Sequence, residues 1–279
     1  LKYVHNDICY PALLTIGQMI SALKSGKYDL NHVALMMTQT GGGCRASNYI
    51  FLLRKALKNA GMGQVPVVSV NLSGLEKNSG FKITLPLLRR ALAALTYGDL
   101  LMLLRNQTRP YEKNPGETDA LVDKWVDDIC ARFLKGKGFQ KKQIRTLTRE
   151  IVASFDRIEI LPVKKIRVGI VGEIYAKYSP LANNHLEDFL RSQDCEVNVH
   201  GIMAFMLFKV DNRLEDIKLY GGNPLKKFVI QILYDYLEVF ERYTLDAVSI
   251  SARYHQPASY RAIKQMVRPL IGYGCKMGE

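Results

Sequence analysis

The feature that most constrains the fold is the alternation of short apolar runs with longer segments of helical periodicity. Strand-like runs separated by helices predict parallel sheets with crossover connections. The predicted strands are residues 32–37, 65–70, 167–171, 196–199 and 247–251, and a further strand begins at Leu270. The sequence therefore predicts an α/β protein with two domains, in which parallel sheets are flanked by helices and the first domain has additional helices.

A break in the pattern at Leu161-Pro162 indicates the domain boundary. The predicted domains are 1–160, which is basic and has a helical extension, and 161–279, whose sheet is truncated at its C-terminal end. Apolar residues at helical spacing predict the helices. These helices are residues 12–24, 85–104, 117–134, 141–155, 184–192, 225–243 and 258–266, with a further helix that ends near Gly61. Residues 200–224 show a mixed pattern that predicts no single element.

The net charge of +13 is concentrated in the first half of the chain. Up to Arg157, Lys and Arg outnumber Asp and Glu by 23 to 12. This excess predicts either an anionic partner or a solvated lysine-rich face. The basic helix around residues 135–149 favours a solvated face, with a protein or CoA-phosphate contact as the alternative. It lacks the interleaved aromatic residues of a nucleic-acid interface, so no nucleic acid is expected as a partner.

Hydropathy and cysteine spacing exclude several classes of protein. No apolar run approaches the length of a membrane span, and no charged-then-apolar signal segment opens the chain, so we expect a cytoplasmic protein without membrane contact. The five cysteines are odd in number and far apart, which argues against a disulfide framework. No CxxC pair is present, so neither a zinc ribbon nor a thioredoxin-like site is indicated.

Three cysteines occur in turn-rich contexts where ligands of α/β proteins collect. Cys44 follows a predicted strand and three glycines and opens a helix, where backbone N–H groups favour a phosphate or a thiolate. Cys275 follows a glycine-rich turn, and Cys9 precedes a helix. Free cysteine is commonly a small buried residue, and this alternative stays open for all three. The remaining two, Cys130 and Cys195, are predicted to be packing residues.

The turn that contains Cys44 also supplies candidate cofactor contacts, namely Gly42, Gly43 and Arg45. The segment lacks the Gly-Lys-Ser/Thr ending of a Walker motif and the third glycine of a dinucleotide fingerprint, so ATP hydrolysis by this turn is not expected. Two further residues are catalytic candidates because they follow predicted strands. Glu173 could act as a base or could cap the next helix. His255 is the histidine best placed for acid–base chemistry, with a surface role as the alternative.

Several longer motifs carry a resemblance to a known family. They are VHNDICYP at residues 4–11, TQTGGGCRA at 38–46, VGEIY at 171–175, SPLANN at 179–184 and GCKMGE at 274–279. Together they are similar to the 2-hydroxyacyl-CoA dehydratase family, and in particular to the dehydratase-like region of its large fusion proteins with an ATP-dependent activase. The resemblance extends over essentially the whole chain.

The resemblance implies that Cys9, Cys44 and Cys275 are thiolate ligands of a [4Fe–4S] or double-cubane iron–sulfur cluster. In this family the activase delivers a low-potential electron that is passed to an acyl-CoA thioester. An activase region and an acyl-CoA substrate are therefore the implied partners. The alternative is a non-catalytic α/β scaffold or docking module of a larger multidomain protein, with the basic first half as its docking surface.

Overall fold

The computed structural model describes residues 2–5, 7–39, 44–70 and 84–273. Contacts within the chain divide it into two compact units, Leu1–Thr84 and Leu85–Glu279. Each unit contains helices and a small parallel sheet, which confirms the α/β class in its coarse form. The domain bounds predicted from the sequence, 1–160 and 161–279, stay a prediction.

The first unit is built around a two-stranded parallel sheet. Helix α1 (Tyr10–Lys24) precedes strand β1 (Leu35–Thr38), which pairs with strand β2 (Val67–Val70). A short 3₁₀ helix (Arg45–Asn48) and helix α2 (Tyr49–Asn59) lie between the strands. This order is a βαβ unit, which joins parallel strands through a crossover helix.

The core of the first unit is almost entirely aliphatic. Ile16, Ile20 and Leu23 recur at helical spacing along α1, so that one face of this helix is buried. The same core includes side chains from α2, from both strands and from the turn before β2, namely Ile50, Leu53, Ala56, Leu57, Met37, Met62, Val65 and Val67. Strands and helices therefore share one hydrophobic core in this unit.

The second unit is dominated by helices. Its elements in chain order are α3 (Leu85–Thr108), α4 (Glu117–Leu134), α5 (Lys141–Phe155), β3 (Ile166–Ile170), α6 (Ile174–Tyr178), α7 (Leu186–Ser192), β4 (Cys195–Val199), α8 (Ile202–Tyr220), α9 (Pro224–Val248) and α10 (Tyr260–Val267). Strands β3 and β4 pair in parallel. Helices α3, α5, α8 and α9 pack against one another and contribute most of the core.

Aromatic residues are prominent in this helical core. Phe240 and Tyr243 on α9 meet edge to face, with their ring centroids 5.9 Å apart. The Tyr97 side chain on α3 is 1% exposed, and its hydroxyl donates a hydrogen bond of 2.6 Å to the carbonyl oxygen of Gly138. Buried tyrosines thus gain apolar contact area while their hydroxyl groups keep a partner.

The sheet of the second unit has a separate, small cluster of buried side chains. Ile170 from β3 and Val197 and Val199 from β4 form this cluster. Helices α3 and α7 pack against β4. The carboxyl ends of both strands point to one edge of the sheet because the strands are parallel, and this edge carries Glu173 and His200 in the segments that follow.

Two predicted strands are wrong. Residues 247–251 do not form a strand, since α9 continues to Val248 and a turn follows. Leu270, where a further strand was predicted to begin, lies in a turn. The segment 200–224, which the sequence left without an element, contains the 19-residue helix α8. Within the described residues, no helix has the length and hydropathy of a membrane span.

Candidate functional site

Cys9 lies at the N-terminus of α1, in the segment that enters the helix. Its backbone has extended angles as the N-cap residue, and its carbonyl oxygen accepts a hydrogen bond from the N–H of Leu13. The Cys9 Sγ lies 2.6 Å from the hydroxyl oxygen of Tyr49, the first residue of α2. This contact joins the start of α1 to the start of α2 although 40 residues separate the two side chains in the sequence.

Cys44 is the N-cap residue of the 3₁₀ helix and is exposed. Its Sγ accepts a hydrogen bond of 3.5 Å from the N–H of Ala46. A thiol in this position is directed at a backbone donor of the helix start, where an anion is favoured. Cys44 is also accessible to a ligand.

Arg45 connects the two cysteine-containing loops. Its guanidinium donates a hydrogen bond of 2.9 Å to the carbonyl oxygen of Asp7, two residues before Cys9. The sequence predicted Arg45 as a cofactor contact, whereas in the structure its guanidinium fixes the loop before α1 beside the turn that contains Cys44. Together with the contact between Cys9 and Tyr49, this interaction brings the two predicted thiol ligands to one end of the first unit.

A buried polar network supports this end of the sheet. Gln39, which directly follows β1, is only 4% exposed. Its side-chain oxygen accepts a hydrogen bond of 2.8 Å from the Ser69 hydroxyl, and its amide nitrogen donates to the carbonyl oxygen of Ser47 at 3.0 Å. The network links β1, β2 and the 3₁₀ helix. It therefore holds the 3₁₀ helix, whose N-cap residue is Cys44, against the end of the sheet.

The predicted ligand set is only partly within the described residues. Cys275, Gly42 and Gly43 lie outside them. Among the residues that the structure describes, no group of three or more His, Cys, Asp or Glu side chains is arranged to hold a metal ion. The donor set that is present is two thiols at helix starts, one beside the Tyr49 hydroxyl and one beside the N–H of Ala46. Thiols are the groups that hold iron–sulfur clusters, as thiolates.

Glu173 caps a helix in the structure. Its side chain accepts a hydrogen bond of 3.0 Å from the N–H of Ala176, in the first turn of α6. This is the structural role that the sequence left open beside a role in catalysis. The carboxylate remains exposed at the carboxyl edge of the second sheet.

His255 does not follow a strand. The sequence predicts a strand at 247–251 before it, but helix α9 extends to Val248 and a turn follows. The backbone of His255 is held by Gln107, whose side chain accepts from its N–H at 2.7 Å and donates to its carbonyl oxygen at 3.0 Å. The residue is exposed. Cys130, predicted to be a packing residue, is also exposed.

The histidine at a sheet edge is His200, which sequence reasoning missed. It follows β4 directly, and the Tyr178 hydroxyl donates a hydrogen bond to its carbonyl oxygen. Although the residue is exposed as a whole, partial desolvation of the ring lowers the pKa of His200, and the nearby charge of Lys177 acts in the same direction. The sequence contains the signal, because His200 directly follows the strand predicted at 196–199.

A buried carboxylate lies beside this edge. Asp99 on α3 accepts hydrogen bonds from the N–H groups of Ile202 at 2.9 Å and Met203 at 2.8 Å, which are the first two residues of α8. Burial raises the pKa of Asp99, while the two backbone hydrogen bonds oppose the rise. Gly201 permits this approach, because a Cβ atom there would lie 2.5 Å from the Asp99 Oδ2. Asp99 is therefore the N-terminal cap of α8.

Comparisons with known proteins gave no relative. No protein-family model matches the chain, and no curated protein and no solved structure matches it. The resemblance to the 2-hydroxyacyl-CoA dehydratase family therefore stays a prediction from the sequence motifs.

Proposed function

We propose that the chain is an iron–sulfur redox component resembling 2-hydroxyacyl-CoA dehydratase. The observation that supports this proposal is the joining of the Cys9 and Cys44 loops through Tyr49 and Arg45 at one end of the first unit. In the proposal, Cys9, Cys44 and Cys275 are thiolate ligands of a [4Fe–4S] or double-cubane cluster. Such a cluster would supply one-electron chemistry at low potential.

The residues around the two thiols have defined tasks in this proposal. The Tyr49 hydroxyl would donate a hydrogen bond to the thiolate of Cys9, and the N–H of Ala46 would donate to that of Cys44. Hydrogen bonds to ligand sulfur atoms stabilise their negative charge and adjust the reduction potential of a cluster. Arg45 would hold the two loops at a fixed separation.

The proposed partners follow from the same family. An ATP-dependent activase would deliver the electron, and a CoA thioester or another small molecule that is hard to reduce would accept it. These two assignments depend on the resemblance alone, so they are tested after the metal content and not before it.

The decisive experiment measures iron and acid-labile sulfide in the protein after anaerobic purification and reconstitution. We expect Cys9→Ala, Cys44→Ala and Cys275→Ala to lower both contents, and Cys130→Ala and Cys195→Ala to leave them unchanged. Tyr49→Phe, which retains the ring and removes the hydroxyl, should retain iron and shift the reduction potential.

Two results would contradict the proposal. The first is a reconstituted wild-type protein without iron and sulfide, which would favour the non-catalytic scaffold. The second is an equal loss of iron in the Cys130 and Cys195 variants, which would show unspecific binding to thiols.

A further inference from the structure

A basic cleft lies between the C-terminal part of α4 and the first turns of α5. It has a volume of about 240 Å³. Three cationic side chains line it, Arg132 from α4, Lys137 from the connecting loop and Lys142 from α5, together with one carboxylate, that of Glu150. The cleft therefore carries an excess of positive charge, as a site for an anion with more than one negative charge requires.

The loop at the base of the cleft is held by its own hydrogen bonds. The Gln143 side-chain oxygen accepts from the N–H of Gly138 at 2.9 Å and from that of Gln140 at 3.3 Å. The carbonyl oxygen of Gly138 accepts from the buried Tyr97 hydroxyl at 2.6 Å. Gly138 has φ +91°, and a Cβ atom there would lie 3.2 Å from the Phe133 ring. The loop backbone is therefore ordered before a ligand binds, which lowers the entropic cost of binding.

Most cations around this cleft have no ion pair. Some lysines elsewhere in the unit do, since Lys113 is paired with Glu159, and Lys264 with Asp211 and Glu215. In the part of the chain that the structure describes, six cations on and beside α5 have no carboxylate within ion-pair distance. They are Lys135, Lys137, Lys141, Lys142, Arg145 and Arg149.

Arg132 does have a carboxylate partner, but the pairing leaves most of its donors uncommitted. Its Nε lies 2.6 Å from the Asp128 Oδ2, and this ion pair involves only that nitrogen. A guanidinium has five N–H donors in a planar fork, and it is well suited to phosphate oxygens. The pair with Asp128 thus orients Arg132 without consuming its capacity to bind an anion.

We propose that the cleft between α4 and α5 binds the phosphate groups of a small phosphorylated molecule through Arg132, Lys137 and Lys142. This proposal is independent of the cysteines and of any cluster. A small ligand is favoured over nucleic acid because three cations line one open cleft, and because no aromatic side chain that could stack on a base is among the described residues that line it.

Isothermal titration calorimetry with inorganic pyrophosphate at low ionic strength tests the site. We expect saturable binding that Lys137→Gln and Lys142→Gln each weaken about tenfold, because each removes one charge-assisted contact. Lys142→Arg should retain the affinity, since the charge is kept. Glu150→Gln should increase the affinity, because it removes the one carboxylate that lines the cleft. Circular dichroism confirms that each variant is folded.

The matched control is Lys226→Gln, which removes an exposed lysine on α9. It should leave the affinity for pyrophosphate unchanged. The proposal is overturned if pyrophosphate does not saturate the protein, or if Lys226→Gln weakens binding as much as Lys142→Gln. It is also overturned if a DNA duplex binds and pyrophosphate does not compete with it, because the cations would then serve nucleic acid.

Discussion

The two units use their parallel sheets differently. In the first, strand residues Met37 and Val67 belong to the same core as helices α1 and α2. In the second, the buried residues of the sheet form a small cluster of their own, while α3, α5, α8 and α9 build a larger helical core. The comparison teaches that one sequence signal, a short apolar strand before a helix, can supply either the centre of a core or only its margin.

The units also differ in what they bury besides apolar groups. The buried polar residues described in the first unit are Gln39 and Ser69, which are neutral. The second unit buries four carboxylates, those of Asp99, Glu196, Asp211 and Glu215. Buried charges need partners and make stability depend on pH, whereas a neutral network does not. We therefore expect the second unit to be sensitive to the loss of single charges and to pH.

The largest effect is expected from Lys264→Met in the second unit. The Lys264 ammonium lies 2.8 Å from carboxylate oxygens of Asp211 and of Glu215, and Tyr260 donates a further hydrogen bond of 2.8 Å to Asp211. Removal of the cation leaves Asp211 with only the Tyr260 hydroxyl and Glu215 with only the exposed Lys218 at 3.6 Å as partners in the described residues, which should lower the free energy of unfolding by about 4 kcal/mol. Urea denaturation measures the change.

The control for this prediction is Lys226→Met, which replaces an exposed lysine and should change the free energy of unfolding by less than about 0.5 kcal/mol. An equal loss in both variants would mean that the buried carboxylates are not what distinguishes the second unit.

The next largest effect is expected from Leu53→Ala in the first unit. Leu53 is fully buried among aliphatic side chains, so the substitution leaves a cavity and should cost about 3 kcal/mol. Amide hydrogen exchange along α1 and α2 measures the loss. The cost should be the same at pH 5 and pH 7, because no charged side chain is buried in the described part of this unit.

The matched substitution is Phe51→Ala on the same helix, where the side chain is 52% exposed. It should have a clearly smaller effect on exchange. A cost of Leu53→Ala that changes with pH would show that the first unit also depends on buried charge.

The smallest effect is expected for Asp99 and concerns pH. Burial raises the pKa of Asp99 from its ordinary value of 3.8, so the folded protein binds the proton more tightly than the unfolded chain does. The resulting stabilisation is fully present below pH 3.8 and is lost as the pH rises through the pKa of the folded state. Stability as a function of pH should therefore fall more steeply above pH 4 in the wild type than in Asp99→Asn.

Thermal unfolding across this pH range tests the prediction, with Asp235→Asn on the exposed side of α9 as the control. The control curve should run parallel to that of the wild type. Parallel curves for the wild type and Asp99→Asn would refute the assignment of this pH dependence to Asp99.

The local sequence was sufficient to predict helix bounds where neighbouring residues set them. The helices predicted at 117–134 and 141–155 have those bounds in the structure. Asn114-Pro115-Gly116 precedes the first of them, and the apolar positions of both repeat at the helical period. The four strands that the structure describes were also predicted to within about three residues. The coarse α/β class followed from them.

Local sequence failed where distant contacts decide the structure. Helix α8 was not predicted because its buried side includes the carboxylates of Asp211 and Glu215. Acidic residues indicate exposed positions in a sequence, and only the structure shows that Lys264 on α10 pairs with both. The apolar residues 247 and 248 read equally well as part of a strand. They extend α9 because Tyr243, Ala247 and Val248 fit the helical core at helical spacing.

The candidate site likewise has features that the local sequence predicts and features that depend on distant contacts. The sequence by itself determined that Cys9 and Cys44 precede helices, because proline, glycine and apolar periodicity mark those starts. Only the tertiary structure decided that Tyr49 and Arg45 join the two cysteine loops, and that a helix instead of a strand precedes His255. The physical reason is that helix starts depend on neighbouring residues, whereas these contacts depend on packing between segments far apart in the chain.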